Sequence, residues 1–327
     1  MSGRGAAPFG GAHDSEYRGD RAGRPPVGEW NAAAGTGGPE LGHNLARGTF
    51  LAGAGTGGRG PLGSHEDAWA MTVYGILSDI HGNLEALSAV LAAIDERGVD
   101  RLVCLGDIVG YNANSNECVE IVRGRGIDSV AGNHDLISIG RLGFDRCANK
   151  AAFALRRTRK ALSSESRAFL AALEPHRLYE GRWLAIHGGL DDVQQYVRTT
   201  RQAQENAVVL QRRFPTVEAC FYGHTHEPRI FEVREDEVRE LPAAKVSWLQ
   251  SGKLYFINSG SVDASRKREH KLAEFGVFDS NRLSVELHRV PYDHESVEEK
   301  SIRGGYRIGR VTELLYSLRR KISSMSK

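Results

Sequence analysis

The sequence predicts an α/β fold, and three observations carry that prediction. From residue 71 onward, apolar runs of strand length alternate with stretches whose apolar residues recur at helical spacing. The connections between the first of these elements are short. Five of the strand-like runs stop at a turn carrying an acid, an amide or an imidazole, as expected where ligands bind at the C-terminal edge of an α/β sheet.

Val73–Ser78 reads as the first strand. Asn83–Arg97 places Leu84, Leu87, Leu91 and Ile94 on one face and stops at Gly98, the pattern of an amphipathic helix. Arg101–Leu105 reads as a strand, Glu117–Arg123 as a short helix and Ile127–Ala131 as a third strand. That alternation with short links predicts a parallel sheet with right-handed crossovers. Residues 136–175, rich in Ala, Arg, Leu and Lys, read as a helical insertion near the strand ends, with helices over Asn149–Leu162 and Ser164–Leu173. Strands resume at Arg182–Ile186, Ala219–Tyr222, Arg229–Val233, Leu254–Asn258, Ala273–Asp279 and Leu283–Val290. The close spacing of the later ones predicts antiparallel pairing. Val311, Leu314, Leu315, Leu318 and Ile322 form one helical face, read as a helix packed on the sheet.

Residues 1–70 hold 18 of the 38 glycines, with GTGG at 35–38 and 55–58, and show no apolar periodicity. Such a segment buries too little surface to offset its ordering entropy and is expected to be disordered, leaving 71–327 as the folded domain. Met71 stands directly before the first strand, so the tail reads either as an extension the fold does not need or as an upstream start. No continuous apolar stretch suits a secretory signal or a membrane span. A net charge of +2 argues against a nucleic-acid-binding stripe. Cys104, Cys118, Cys147 and Cys220 are widely spaced with no C-x-x-C, which suits a reducing cytoplasm and argues against a thiolate metal site.

The strand ends carry the chemistry. The first ends in Asp79-Ile80-His81, the second in Gly106-Asp107 and the third in Gly132-Asn133-His134-Asp135. The fourth ends in His187-Gly188 and the fifth in Gly223-His224-Thr225-His226. Each alone is an ordinary turn or helix start. Five in register are not, and two imidazoles flanking one residue after a strand have little packing rationale. Asp79 and Asp107 offer carboxylates, Asn133 a carbonyl, and His81, His187, His224 and His226 imidazoles. Seven groups exceed the needs of one ion and suit two, with one carboxylate shared. Oxygen and nitrogen donors without thiolate suit manganese, the ion expected first, and also Fe, Zn²⁺, Co²⁺ or Ni²⁺; they suit Ca²⁺ poorly.

Two such ions bring the pKa of a bridging water toward neutrality, making hydroxide, and hold the oxygens of a phosphoryl group. His134 need not bind metal. Flanked by Asn133 and by Asp135, which is placed to orient it and favour its charged form, it suits a proton donor to a leaving oxygen. The expected reaction is hydrolysis of a phosphoester by in-line attack, with His134 and Asp135 catalytic and Asn133 and His134 also within reach of substrate. Arg266 and Lys267 are candidates for a phosphate contact, although cationic loops are more often solvated surface.

Together, Asp79-x-His81, Gly106-Asp107, Gly132-Asn133-His134-Asp135, His187 and Gly223-His224-x-His226 resemble the calcineurin-like metallophosphoesterase superfamily, over Met71 to about Val290. The resemblance implies a two-sheet β-sandwich flanked by helices, a four-layer α-β-β-α arrangement. It implies that Asp79, His81 and His226 hold one ion, that Asn133, His187 and His224 hold the other, that Asp107 bridges and that His134 is the acid. Gly106-Asp107-x-Val109-Gly110-Tyr111, the insertion, His187-Gly188-Gly189 with Tyr196, and Asn258-Ser259-Gly260-Ser261-Val262 look like small prokaryotic phosphodiesterases related to diadenosine tetraphosphatase. Protein Ser/Thr phosphatases carry a phosphate-gripping Arg where Gly110-Tyr111 stands here. The sequence departs from the branch at Asn112-Ala113, where Gly-Pro is usual, and at Asp263-Ala264, where Gly-Gln-Pro-like residues are usual. Both departures bear on the substrate pocket.

The expected partner is therefore a small phosphoester or nucleotide. Phosphomonoesters and dinucleoside polyphosphates are the rival substrates. A non-catalytic scaffold on the same fold is the rival of another class, and it predicts decayed ligands, whereas His134 and all seven donors are intact.

Overall fold

The computed structural model describes residues 72–309 except 235, 236, 243, 265, 266, 268 and 269. The chain divides into two units, Met1–His65 and Glu66–Lys327, and every described residue belongs to the second. The Gly-rich segment, Arg266 and the helical face expected at 311–322 lie outside the described residues.

In chain order the strands are β1 (Val73–Leu77), β2 (Arg101–Cys104), β3 (Asp128–Ser129), β4 (His176–Tyr179), β5 (Trp183–Ile186), β6 (Ala219–Phe221), β7 (Arg229–Arg234), β8 (Glu237–Glu240), β9 (Val246–Trp248), β10 (Leu254–Asn258), β11 (Leu272–Asp279) and β12 (Ser284–Pro291). The helices are α1 (Leu84–Asp95), α2 (Ser115–Gly124), α3 (Asn133–Ile139), α4 (Asn149–Ala161), α5 (Ser164–Ala172), α6 (Thr200–Arg213) and α7 (His294–Arg303).

These strands form two mixed sheets of six, ordered β3-β2-β1-β11-β12-β9 and β4-β5-β6-β10-β7-β8. The parallel arrangement read for the first three strands holds, and the two-sheet sandwich implied by the resemblance is present. β1, β2 and β3 are parallel in one sheet, β5, β6 and β10 in the other, and every remaining pairing is antiparallel. The reason is non-local. β11 returns from far along the chain to pair with β1, and β5 takes β4 and β6 as its neighbours instead of joining β3.

Side-chain alternation sorts the residues into layers. Tyr74 and Ile76 of β1, Ala185 of β5, Phe221 of β6 and Tyr255 and Ile257 of β10 meet in one core between the sheets. Leu77 faces α1 and α2 in a second core, while Leu254 and Phe256 pack with Ala203, Ala207 and Leu210 of α6 in a third. Burial on both faces explains why β10 reads as an unbroken apolar run. An aromatic block fills the inter-sheet space: Trp183 stacks on Tyr179 at 4.1 Å and meets Tyr74 edge-on at 4.7 Å, with Phe221 and Phe278 alongside.

The insertion contains α3, α4 and α5, and its helical character begins earlier than residue 136. α3 starts at Asn133 because Gly132, in extended conformation, caps it, and Asp135 accepts the Gly132 N–H at 3.0 Å. One of the sequence-predicted donors therefore occupies the first turn of a helix. No helix among the described residues is long and apolar enough to cross a membrane.

Candidate metal centre

Two interlocked turns present the residues of the first sheet. The Asp79 N–H donates to the Gly106 carbonyl at 3.0 Å, the His81 N–H to the Asp107 carbonyl at 2.8 Å and the Gly82 N–H to the Ile108 carbonyl at 2.9 Å. The His134 N–H, in the first turn of α3, donates to Asp107 Oδ1 at 2.7 Å. From the second sheet, the His224 N–H donates to Asp79 Oδ2 at 3.0 Å, so the two sheets meet at this end through a ligand-type side chain. All seven groups read from the strand ends as donors are brought together here, and all are buried.

The backbone is strained where these side chains stand. Asp79, His81, Asp107, His224 and His226 have φ of 56°, 52°, 55°, 64° and 60°. Only two other described non-glycine residues, Glu180 and Leu283, have positive φ. Residues bearing a Cβ avoid this region at a cost of about 1–3 kcal/mol each, and such outliers gather at functional sites.

The donors fall into two sets. In one, Asp79 Oδ1 lies 3.2 Å from His226 Nε2 and 3.7 Å from His81 Nε2, and the two Nε2 atoms are 3.0 Å apart. In the other, His187 Nε2 lies 3.0 Å from Asn133 Oδ1 and 3.3 Å from Asp107 Oδ2. Asp107, His187 and His224 each offer an atom within 4.8 Å of the others. Asp107 Oδ2 is also 3.8 Å from His81 Nε2, so one carboxylate oxygen faces both sets.

Two carbonyls fix imidazole tautomers. His187 Nδ1 is 2.7 Å from the Leu105 carbonyl, and His224 Nε2 is 3.3 Å from the Gln194 carbonyl. A carbonyl only accepts, so these nitrogens carry a proton; the opposite nitrogen presents a lone pair in neutral His224, and in His187 once the second proton, which Asp107 favours, is displaced. Burial, with the His187 ring nearby, lowers the His224 pKa to about 3 and keeps it neutral. Burial opposes the charged form of His187 as well, but the Asp107 carboxylate prevails and raises its pKa to about 9. Against their own burial, Asp79 is held below the usual carboxylate range chiefly by His226, and Asp107 by His187 and His134. Burial pushes His81 well down.

Asp79 Oδ1 is buried and accepts no hydrogen bond, which is costly for a carboxylate oxygen. That orphaned oxygen, the carbonyl-fixed lone pairs and the mixed oxygen and nitrogen donor set fit a pair of divalent cations.

His134 lies beside the first set, its ring 4.5 Å from that of His81 and 4.8 Å from that of Tyr111. It also forms a candidate donor group with His81 and Asp107, so its ring faces the same space as the ligand-type residues. Gly110 makes room for it: at φ +146°, a Cβ there would collide with His134 Nδ1.

Asp135 binds three backbone amides. It accepts the Asp107 N–H at 2.9 Å and the Gly132 N–H at 3.0 Å on Oδ2, and the Val109 N–H at 3.2 Å on Oδ1. It fastens the turn carrying Asp107 to the start of α3. Burial and the Asp107 charge raise its pKa to about 7, against the pull of the amides. Lys267, read as solvated, is largely buried against Glu274.

Several supporting residues had no assigned role in the sequence. Ser78 Oγ donates to Asp79 Oδ2 at 2.7 Å, and Asn258 Nδ2 to the Gly223 carbonyl at 2.8 Å. Tyr196 stacks on His224 at 4.2 Å. Arg146, from the insertion, donates to the Gln194 carbonyl at 3.0 Å and to Asp192 at 2.7 Å. Ser78 had only its place beside Asp79 as a signal, whereas Tyr196 and Asn258 stood in the resembling blocks without a role.

With this geometry in hand, comparison with known proteins is informative. Residues 71–282 match the Calcineurin-like phosphoesterase superfamily domain. The chain is 34% identical over 236 residues to an uncharacterized protein of Methanocaldococcus jannaschii, covering 70% of this chain and 91% of that one. A metallophosphoesterase from Sphaerobacter thermophilus is 32% identical, with a TM-score of 0.59 and coverage of 75% of this chain and 97% of that one. A hypothetical protein from Pyrococcus horikoshii OT3 shares the fold at 20% identity, with a TM-score of 0.58 and coverage of 75% and 98%.

Proposed function

This chain belongs to the calcineurin-like phosphoesterase superfamily, and from that premise we propose that it is a dinuclear-metal-dependent hydrolase of a phosphodiester or related phosphate ester. One observation carries the reading: donors from both sheets converge in two sets, with Asp107 Oδ2 facing each. In this reading Asp79, His81 and His226 hold one cation, Asn133, His187 and His224 hold the other, and Asp107 is shared. Manganese is the proposed ion, with Fe, Zn²⁺, Co²⁺ or Ni²⁺ as substitutes. When bound, the pair supplies Lewis acidity toward phosphoryl oxygens and a nucleophile at neutral pH.

The protein's own residues do the rest. His134, fixed at its backbone by Asp107, is the proposed proton donor to the leaving oxygen, and the space at Gly110 sets its distance from His81. Asn133, at the first turn of α3, places its carbonyl where it serves both ligand and substrate. Four free, buried cysteines support a reducing compartment, for which we propose the cytoplasm.

The test is metal analysis of purified protein, then turnover of bis-nitrophenyl phosphate, cyclic nucleotides, dinucleoside polyphosphates and phosphomonoesters. The expected result is two ions per chain and preferential diester cleavage. Asp107→Asn should lose metal pairing and reduce turnover by at least about 10³-fold, since both ions depend on it. Retention of both ions and full turnover by that variant would falsify the site.

A further inference from the structure

We propose that Arg307 and Asn112 form a clamp that positions the His81 turn, so that the segment following α7 sets the affinity of the metal centre. The inference rests on the dinuclear reading above and joins Asn112, inside the superfamily match, to Arg307, beyond it.

The clamp starts at His81, whose φ of 52° must be held by its surroundings. The His81 carbonyl accepts twice from Asn112, from its N–H at 2.9 Å and from its side-chain Nδ2 at 3.2 Å. Asn112 is 1% exposed, so neither bond is replaceable by water. With Nδ2 committed to His81, Oδ1 faces the other way. It accepts from Arg307 Nη2 at 3.0 Å and from Ser301 Oγ, in the last turn of α7, at 3.3 Å. These partners also settle the amide orientation, because the nitrogen meets an acceptor and the oxygen meets donors.

Arg307 grips the same turn a second time. Its Nη1 donates to the Tyr111 carbonyl at 3.0 Å, while Nε donates to Glu298 at 2.8 Å. The Tyr111 ring stands 4.7 Å from that of His81 and 4.8 Å from that of His134. A single guanidinium thus fixes the side chain that supports the His81 carbonyl and the backbone of the residue packed against both imidazoles. The planar fork suits Arg for this task, whereas Lys would reach only one acceptor at a time.

Arg307 and Asn112 touch no reacting group, so they are positioning residues. Residues supporting a ligand in this way typically alter metal affinity by 10–100-fold. The test is manganese binding to metal-stripped protein, followed by isothermal titration and by electron paramagnetic resonance. Variants are Arg307→Met, Asn112→Ala and, as a control, Arg125→Met, which removes an exposed ion pair to Asp95 near the other end of the strands.

The expected result is about tenfold weaker manganese binding in Arg307→Met and Asn112→Ala, with Arg125→Met unchanged and Arg307→Met still folded by circular dichroism. Manganese affinity in Arg307→Met equal to that of the parent overturns the clamp, whatever its melting temperature. Should Asn112→Ala fail to fold, the half-buried Arg307 still decides the matter. A parent chain that binds neither manganese nor Fe, Zn²⁺, Co²⁺ or Ni²⁺ would refute the dinuclear reading itself, a result distinct from failure of the clamp.

Discussion

Replacing Gly132 with Ala tests whether the turn of Asp107 and the start of α3 really lock together. Gly132 has φ −90° and ψ 166°, an ordinary extended conformation, so alanine meets no backbone penalty there. The obstacle is space: a Cβ would fall on the Asp107 amide nitrogen and on Asp107 Oδ1. Neither can yield freely, because that nitrogen donates to Asp135 at 2.9 Å and that oxygen accepts from His134 at 2.7 Å. Losing two carboxylate–amide hydrogen bonds at about 1.5–3 kcal/mol each predicts a destabilisation of about 3–6 kcal/mol. Gly98→Ala is the matched control: φ is +63°, nothing lies within 4 Å, and the cost is the left-handed penalty of about 1–2 kcal/mol. Urea unfolding followed by circular dichroism, in chelator, measures both. If alanine proves no more costly at 132 than at 98, the packing argument for the Asp107 turn is wrong.

Two further expectations follow from contacts away from the turn. Arg146→Met removes exposed bonds worth less than about 1 kcal/mol of stability, yet should weaken metal binding about tenfold, because the Gln194 carbonyl it supports also fixes His224; unchanged metal affinity would contradict this. Glu232, buried on β7, would have its pKa raised by burial alone, but Arg234 and Arg239 hold it at about 2 instead of 4.5. Its contribution is present above pH 4.5 and lost as the pH falls through 2, so Glu232→Gln should flatten the acid limb of melting temperature against pH in that window. An unaltered slope there would show that the pairing adds nothing.

The local parts of the fold were legible because they are written locally. Leu84, Leu87, Leu91 and Ile94 announce α1, and the unbroken apolar run of β10 announces a strand buried on both faces. β8 escaped notice because Glu237–Glu240 is a charged edge strand, and α6 because its buried stripe is Ala203, Ala207 and Leu210 among polar residues. The division into two sheets depends on pairings such as β1 with β11, which no local pattern encodes; only the superfamily resemblance anticipated it. At the site, side-chain chemistry at strand ends identified the residues that converge. What it could not supply was direction. Asp135 sits next to His134 in the chain, yet its carboxylate serves three amides, and the helix that begins at Asn133 decides that.

The aromatic block and the donor cluster lie toward opposite ends of the same sandwich. Trp183 and Tyr74 stand at or near the starts of β5 and β1, whereas His187 and Asp79 follow the ends of those strands. The molecule is built like a caliper. Its stacked rings fix one end, and at the other Asp79, His81, Asp107 and Asn133 on one arm meet His187, His224 and His226 on the other, with the His224 N–H held by Asp79 Oδ2. The spacing of the donors is then a property of how the two sheets pair and not of any one turn.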